Sequence, residues 1–346
     1  MKTFFEFIEY IILTSIFIFG LCGCSPVGDD TSNNIISIAA VGDVNFGSDY
    51  PYNAVPSRDK KNLFDACRKI IMSADISFCN LETALCNGGK PAKKYGRKGV
   101  FLFRAPCEFS EILAETGFDV VSVANNHIRD FGFDGEQQTK RSLKENNIQY
   151  LSIDGETAEF QIRETKIIFV GFSAGLRKRS IINPESVFNE IKLLSDKSDI
   201  LVVSFHAGAE GEDAIHTKNR TESYLGENRG NPVFLAHGAI DNGADLVLMH
   251  GPHVPRGVEV YRERFIAYSL GNFLNYGWKL NRYSKIAPLL WINLYPDGKP
   301  ASVIIYSFIQ NRPGFPEFDR QNQAYKLIKD LTQKDISTGG FQFSDQ

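Results

Sequence analysis

Several short apolar segments of this chain run directly into side chains of the kind that bind metal ions. The clearest is Ile200 to Phe205, an apolar run broken only by Ser204, which ends at His206. Such a run without alternation is typical of a strand that is covered on both faces. In an open α/β sheet the carboxyl ends of parallel strands share one edge, and ligands bind there. The sequence therefore predicts an α/β fold with a polar site at a sheet edge.

Five predicted strands end in this way. The strand predicted from Val120 to Ala124, for example, leads into Asn126 and His127. The candidate metal ligands at the five strand ends are Asp43, Asn45, Glu82, Asn126, His206, His250 and His253. Carboxylate, amide and imidazole groups in this combination suit Zn, Mn or Fe(II). Because Asp43 or Glu82 can bridge two cations, we expect a site for two divalent ions.

Taken singly, each of these residues also fits a structural role. Asp43 fits a helix cap, Glu82 a surface charge and Asn126 a turn residue, and the three histidines fit the core, a loop or the rim of a site. The metal interpretation is favoured because the same pattern recurs at five strand ends. His216, in a polar loop, and His237, on a predicted helix, are expected to be structural or surface residues.

The first 34 residues predict export and anchoring. Tyr10 to Leu21 is apolar but shorter than the roughly 20 residues of a spanning helix, and it has the length of a signal-peptide core. Leu21 to Cys24 resembles a bacterial lipobox, in which Cys24 carries the lipid; an uncleaved N-terminal anchor is the alternative. The predicted divisions are a signal peptide at 1–23, a polar tether at 24–34, one domain at 35–335 and a flexible tail at 336–346. Both interpretations place the domain outside the cytoplasm, on a membrane of the cell envelope.

Composition and the order of the predicted elements indicate the fold class and limit the classes of binding partner. A net charge of -3 over 346 residues does not suggest a nucleic-acid binder, which is usually strongly basic. No linker divides the chain. Predicted strands and helices alternate first and hairpins follow, a pattern that suggests two packed sheets flanked by helices.

A set of motifs between Ile36 and Phe273 resembles the CapA family, whose members act in poly-γ-glutamate capsule synthesis. The motifs are Gly42-Asp43, Asn80-Leu81-Glu82, Ala124-Asn125-Asn126-His127 with Asp130 and Gly132, Val203-Ser204-Phe205-His206 with Glu210, Gly243-Ala244-Asp245 before His250-Gly251-Pro252-His253-Val254, and Tyr268-Ser269-Leu270-Gly271-Asn272-Phe273. CapA proteins are in turn similar to calcineurin-like metallophosphoesterases. The resemblance implies a four-layer α/β/β/α sandwich with a dinuclear metal site.

The resemblance also implies roles for individual residues. Asp43 matches the first metal carboxylate, and Glu82 stands roughly where a bridging aspartate belongs. Asn45 stands where a phosphoesterase has histidine. The remaining ligand positions match Asn126, His206, His250 and His253. His127 matches the histidine that protonates the leaving group.

Two further residues have two interpretations each. Asp130 lies three residues after His127 and would orient its imidazole, as catalytic histidines require, or it would favour the N-terminus of the next helix. Arg104 would clamp a substrate carboxylate or phosphate, or it would form a structural salt bridge.

The sequence thus predicts a lipid-anchored metallohydrolase. It would cleave a phosphate ester, or an amide bond, in an anionic envelope polymer or its precursor. The alternative is a non-catalytic scaffold or polymer-binding subunit that works with other subunits of a capsule synthesis complex. A surface adhesin would need a repeat or an aromatic stripe, and the sequence contains neither.

Overall fold

A computed structural model describes residues 34–336 apart from 52, 58–61, 95–98 and 176, and it also describes Phe343. The predicted signal peptide, the predicted lipidation site Cys24 and all of the tether except Asn34 lie outside the described residues. Within the described part, no helix combines the length and apolar character that a membrane crossing requires.

The described chain forms six α-helices and nineteen strands. The helices are α1 (Arg68–Ile71), α2 (Phe109–Thr116), α3 (Gly132–Glu145), α4 (Pro184–Ser195), α5 (Pro232–Asp241) and α6 (Gln323–Asp335), with a short 3₁₀ helix at Glu212–Ala214. The strands are β1 (Ile36–Asn45), β2 (Ser48–Tyr50), β3 (Ile76–Leu81), β4 (Ala84–Leu85), β5 (Leu102–Ala105), β6 (Val120–Ser122), β7 (Gln149–Leu151), β8 (Ala158–Ile162), β9 (Thr165–Ser173), β10 (Ile200–His206), β11 (Ser223–Tyr224), β12 (Glu227–Asn228), β13 (Leu246–His250), β14 (Val258–Tyr261), β15 (Arg264–Ala267), β16 (Asn272–Asn275), β17 (Ile286–Leu294), β18 (Pro300–Asn311) and β19 (Phe315–Phe318).

Two sheets make up most of the fold. The larger has the order β19-β18-β17-β1-β3-β6-β7, and β16 also pairs with β1. The smaller has the order β14-β15-β13-β10-β9-β8. The pairs β1–β3 and β3–β6 are parallel, as are β9–β10 and β10–β13. Each sheet therefore gathers the carboxyl ends of several strands at one edge, where a ligand site is expected.

Apolar contacts hold the two sheets face to face. Phe78 of β3 stacks on Phe169 of β9 with ring centroids 6.0 Å apart, and both rings are fully buried. Burial of a phenylalanine contributes about 1.5–3 kcal/mol. The same cluster includes Tyr325 of α6, whose ring contacts Phe343 with centroids 5.8 Å apart. Phe343, which lies in the predicted flexible tail, is therefore packed against the central core.

Helices cover the outer face of each sheet. Phe109 and Leu113 of α2 pack against the larger sheet. Ile191 of α4 and Ala236 of α5 pack against the smaller sheet. These layers cover the parallel strands on both faces, and this explains why segments such as Ile200–His206 are buried along their whole length.

Local sequence fixes where α4 and α5 begin. Asn183 precedes α4 and its side chain accepts a hydrogen bond from Ser186 N–H. Asn231 does the same for Phe234 N–H before α5. A proline follows each asparagine at the first helical position, where its missing N–H costs no hydrogen bond.

The predicted α/β class is confirmed, but one predicted helix is largely wrong. The segment from Asn62 to Met72 is helical only over α1. Its first half forms turns, in which Cys67 N–H bonds to Phe64 O at 3.0 Å. Leu63, Phe64 and Cys67 are buried from these turns. The apolar spacing that predicted a helix therefore reflects burial, and a regular helix is not needed to achieve it.

Candidate metal centre

Three of the predicted ligands form the centre of the site. Asp43 lies near the end of β1, Glu82 directly follows β3, and His253 lies in the loop after β13. One ligand atom from each lies within 4.8 Å of the others. His253 Nδ1 is 2.9 Å from Asp43 Oδ2 and 3.5 Å from Glu82 Oε2. The two sheets therefore contribute carboxylates and an imidazole to one point.

Two further histidines reach this centre from the smaller sheet. His206 ends β10 and His250 ends β13, and the two are paired in register. His250 Nδ1 is 3.4 Å from Asp43 Oδ1, and His206 Nε2 is 3.5 Å from Glu82 Oε1. Among the described residues, both ring nitrogens of both histidines lack a hydrogen-bond partner. Burial lowers the pKa of His206 well below its usual value, so its imidazole is neutral and offers a lone pair.

Unpartnered buried imidazoles fit a metal site. A buried polar group without a partner costs about 1–3 kcal/mol, and such groups are rare without a reason. Neutral imidazole and carboxylate together are a common donor set for Zn, Mn or Fe. A cation between Asp43, Glu82 and the histidines would satisfy the free nitrogens.

Burial and neighbouring charges shift the pKa values of the groups at the centre in different directions. Burial raises the pKa of Glu82 well above its usual range, and the nearby charges of Asp43 and Glu210 add to this. Burial alone would lower the pKa of His253, but the charges of Glu82, Glu210 and Asp43 outweigh it and raise that pKa well above the usual value. Burial also opposes ionisation of Asp43, yet the adjacent imidazoles of His250 and His253 outweigh it and bring its pKa below the usual value. Without a cation, Glu82 and His253 therefore keep their protons to higher pH than they would in water.

Metal affinity is expected to rise with pH and to be accompanied by proton release. Both raised pKa values mean that a cation must displace protons from Glu82 and His253, so acid competes with the metal. Titration calorimetry with Mn²⁺ or Zn²⁺ in two buffers of different ionisation enthalpy measures the released protons. A metal affinity that is independent of pH between about 6 and 8 would contradict these raised pKa values.

A close crossing of two backbone segments sets the position of Asp43. Its N–H donates to Gly271 O at 2.8 Å. A Cβ on Gly42 would meet the carbonyl oxygens of Leu270 and Gly271, at 2.6 Å from the former. Gly271 has φ 62°, in the left-handed region that glycine adopts without strain. The approach therefore needs glycine at both positions.

Gly42→Ala is expected to lower the free energy of unfolding by about 1–3 kcal/mol, because the added Cβ forces two backbone segments apart. Urea denaturation measures the change. Gly88→Ala is the matched control, since its Cβ would meet nothing closer than 3.7 Å. Equal stability of the two variants would show that the crossing is not tight.

His127 and Asp130 form the contact that the sequence predicted. His127 Nδ1 is 2.7 Å from Asp130 Oδ2, and the carboxylate also accepts a hydrogen bond from Phe103 N–H at 2.8 Å. Lys93 Nζ lies 2.7 Å from the other oxygen of Asp130. The carboxylate thus faces the imidazole and does not bond to the start of α3. Burial lowers the pKa of His127, although Asp130 opposes the shift.

Asn45 is placed at the site, but its contacts argue against the predicted ligand role. Its Oδ1 accepts hydrogen bonds from Thr83 Oγ1 at 2.8 Å and from Gly47 N–H at 3.0 Å. Thr83 Oγ1 itself accepts from Phe46 N–H, so its own proton is available for Asn45. Both lone pairs of the amide oxygen are therefore used. The group left over is the NH₂, a donor that cannot bind a cation.

Arg104 adopts the structural alternative. Its Nη2 lies 2.5 Å from Asp49 Oδ1, and its guanidinium lies 4.2 Å from the centre of the Phe131 ring. It does not line the cleft over the centre among the described residues. The predicted substrate clamp is therefore not supported by its contacts.

The predicted role of Asn126 as a metal ligand stays a proposal. Its Oδ1 is buried and has no hydrogen-bond partner among the described residues. The preceding Asn125 is bound instead, donating to Asn80 Oδ1 at 3.1 Å and to Leu81 O at 2.9 Å. Asn80 in turn donates to Asp43 Oδ1 at 2.8 Å. This chain of amides, which sequence reasoning missed, fixes the orientation of the Asp43 carboxylate.

A cleft of about 210 Å³ opens over the centre. His127, Glu82 and His253 line it, together with Glu210 and an aromatic wall of Phe101, Phe103 and Trp278. Phe103 lies against the His127 ring with centroids 4.1 Å apart. Glu210 Oε2 lies 3.7 Å from His253 Nε2. The aromatic wall was not predicted, because its members are ordinary apolar residues until the fold brings them beside His127.

This sequence has relatives among known bacterial proteins. The family model described as Bacterial capsule synthesis protein PGA_cap matches residues 37–276. The capsule biosynthesis protein CapA of Bacillus anthracis is 24% identical over 324 residues, which cover 87% of this chain and 74% of that protein. The PGA biosynthesis protein CapA of Bacillus subtilis is 26% identical over 274 residues, covering 74% and 67%. A solved 5'-nucleotidase precursor from Thermus thermophilus is 13% identical with a TM-score of 0.43, covering 87% of this chain and 59% of that one. The residues that match the family model include every predicted metal ligand.

Proposed function

The chain belongs to the bacterial capsule synthesis protein family PGA_cap, as its motifs predicted, and on that premise we propose that it is a metal-dependent hydrolase. Its substrate would be an anionic polymer of the cell envelope, of the polyglutamate type, or a precursor of that polymer. The named relatives act in capsule or PGA biosynthesis, and this supports the choice of polymer.

One observation carries the proposal: His206 and His250 are buried with both ring nitrogens unpartnered among the described residues, beside the carboxylates of Asp43 and Glu82. A purely structural core would not leave such groups unsatisfied. We propose that Asp43, His250 and His253 bind one divalent ion and that Glu82, His206 and Asn126 complete a second position. Mn, Zn and Fe suit these donors.

The residues beside the centre would perform the proton chemistry. Asp43, Glu82 and the histidines would hold a divalent ion, which would supply Lewis-acid polarisation of a scissile phosphate or amide group. Asp130 holds Nδ1 of His127, which leaves Nε2 of His127 for the substrate in the cleft. The imidazolium form of His127, which the charge of Asp130 favours, would deliver a proton to the leaving group from that nitrogen. Phe103 limits the access of water to one face of the imidazole.

The N-terminal segment completes the proposal. We propose that Cys24 carries a lipid, so that the domain works at the outer side of a bacterial membrane with other subunits of polymer synthesis. Globomycin treatment, which blocks lipoprotein signal cleavage, would leave the longer precursor if Cys24 is the lipidated residue. A Cys24→Ala variant that still partitions with membranes as the processed form would argue against this anchor.

Hydrolysis is tested with protein purified without chelator and loaded with Mn²⁺ or Zn²⁺. The probes are bis-p-nitrophenyl phosphate and poly-γ-glutamate, with products measured by absorbance and by chain length. Metal-dependent cleavage of either probe is the expected result. Stoichiometric metal with no cleavage of either would favour the non-catalytic scaffold instead.

A further inference from the structure

A strand beside the metal centre carries two asparagines that the proposed hydrolysis does not use. Asn272 and Asn275 begin and end β16, which runs parallel to β1. In the register of the pair, Asn272 lies opposite Asp43 and Asn275 opposite Asn45. Both asparagines line the cleft. They therefore form a polar strip next to the position where a scissile bond would bind.

The amide oxygen of Asn272 is held in place but has no hydrogen-bond donor beside it among the described residues. The residue is only 2% exposed, and its Nδ2 donates to the backbone oxygen of Ser284 at 3.2 Å. A backbone carbonyl can only accept, so this contact fixes which end of the amide is nitrogen. Oδ1 is therefore the other end, and it has no hydrogen-bond partner among the described residues.

Asn275, three residues later, also has a buried amide oxygen without a donor among the described residues. Its backbone is fixed on both sides, because its N–H donates to Gly314 O at 3.2 Å and the next N–H, of Tyr276, donates to Asn45 O at 3.0 Å. Two neighbouring acceptors without donors in the described chain are positions where a ligand N–H group can bind.

The need for a hydrogen-bond donor excludes phosphate and carboxylate groups as partners of these two oxygens. Phosphate and carboxylate groups are acceptors at neutral pH and cannot satisfy an amide oxygen. A polyglutamate chain carries one kind of donor, the N–H of each backbone amide. Asn45 adds a matching group on the neighbouring strand, since its NH₂, which has no hydrogen-bond partner in the described part of the chain, can donate to the carbonyl of the same amide.

We propose that Asn272 and Asn275 accept hydrogen bonds from the backbone amide N–H groups of the polymer. These two residues would make the cleft select a polyamide and reject an anionic chain without N–H donors. This inference rests on the proposed function, and it assigns the two asparagines to substrate selection and not to the metal ions.

The test compares two pentamers in the metal-loaded protein. One is γ-linked pentaglutamate, and the other is the same chain with each amide N–H replaced by an ester oxygen. The His127→Ala background slows turnover, and calorimetry measures the affinity before the chains are cleaved. We expect the amide chain to bind about 10- to 100-fold more tightly, because the ester leaves the two oxygens unsatisfied. Asn275→Leu should remove most of this preference, whereas Asn275→Asp, which keeps an acceptor oxygen, should retain it.

The outcomes separate this inference from the function on which it rests. Equal affinity for the two pentamers would overturn the inference and leave polymer binding intact. Absence of binding to either pentamer would remove both. Loss of bound metal from Asn275→Leu or Asn272→Leu would assign these oxygens to an ion and overturn their role in substrate selection. The comparison of the two pentamers uses no substitution at either asparagine, so it holds even where a variant fails to fold.

Discussion

Replacement of His127 by alanine is expected to lower turnover by about 100- to 10,000-fold while the metal stays bound. The imidazole is held by Asp130 at 2.7 Å and faces the cleft, but it contacts neither Asp43 nor Glu82 in any described ion pair. Its loss therefore removes a proton donor and leaves the ion ligands in place. Steady-state kinetics with bis-p-nitrophenyl phosphate, combined with elemental analysis of the same sample, measures both effects.

Asp130→Asn and His216→Ala complete this comparison. The asparagine keeps the shape of Asp130 but loses the charge that sets the tautomer of His127, so turnover should fall as well. His216 pairs with Asp335 at 2.8 Å and its side chain is 44% exposed, so its removal should leave turnover unchanged. Normal turnover in His127→Ala would withdraw the assignment of the proton donor.

The second large effect is a change in stability on removing a buried histidine, and its sign differs between the metal-free and the metal-bound protein. His206→Leu should raise the free energy of unfolding of the metal-free protein by about 1–3 kcal/mol. It replaces two buried nitrogens, which have no hydrogen-bond partner among the described residues, with an apolar side chain of similar size. The same change removes an ion ligand, so metal affinity should fall sharply and the stabilisation by added metal should be lost. Thermal unfolding with and without Mn²⁺ or Zn²⁺ measures both.

His237→Leu is the control for this reversal. Its Nε2 contacts Glu259 Oε2 at 2.9 Å, so the substitution breaks a satisfied contact. It should destabilise the metal-free protein and leave metal affinity unchanged. If His206→Leu instead destabilises the metal-free protein as His237→Leu does, the His206 imidazole is a satisfied core histidine.

The parts of the fold that are set by local sequence were predictable. The helix predicted from Pro184 to Ser195 has the observed bounds, because an asparagine cap and a proline begin it. The strand at Ile200 and the strand at Leu246 were predicted from their apolar runs. The strand β16 was missed, because its four residues pair with β1 across more than 200 positions of sequence. No local pattern reports a pairing of that kind.

The candidate site likewise has features that the sequence predicted and features that depend on residues distant in sequence. The convergence of Asp43, Glu82, His206, His250 and His253 was predicted from parallel strands of one sheet that end at a common edge. In the structure the carboxylates come from the larger sheet and the histidines from the smaller one, so that rule explains only the grouping within each sheet. Asn45 and Arg104 were assigned to the site by their type and position. What they do is decided by partners that lie far away in sequence, Thr83 for Asn45 and Asp49 for Arg104. The same limit hid Asn80, which orients Asp43 through a neighbouring strand.

The most direct test of the proposed metal centre is the metal content of protein purified without chelator, together with anomalous X-ray diffraction from its crystals. We expect one or two divalent ions bound among Asp43, Glu82, His206, His250 and His253. A protein that contains no divalent metal, and takes up none when Mn²⁺, Zn²⁺ or Fe²⁺ is supplied, would rule out the proposed metal centre.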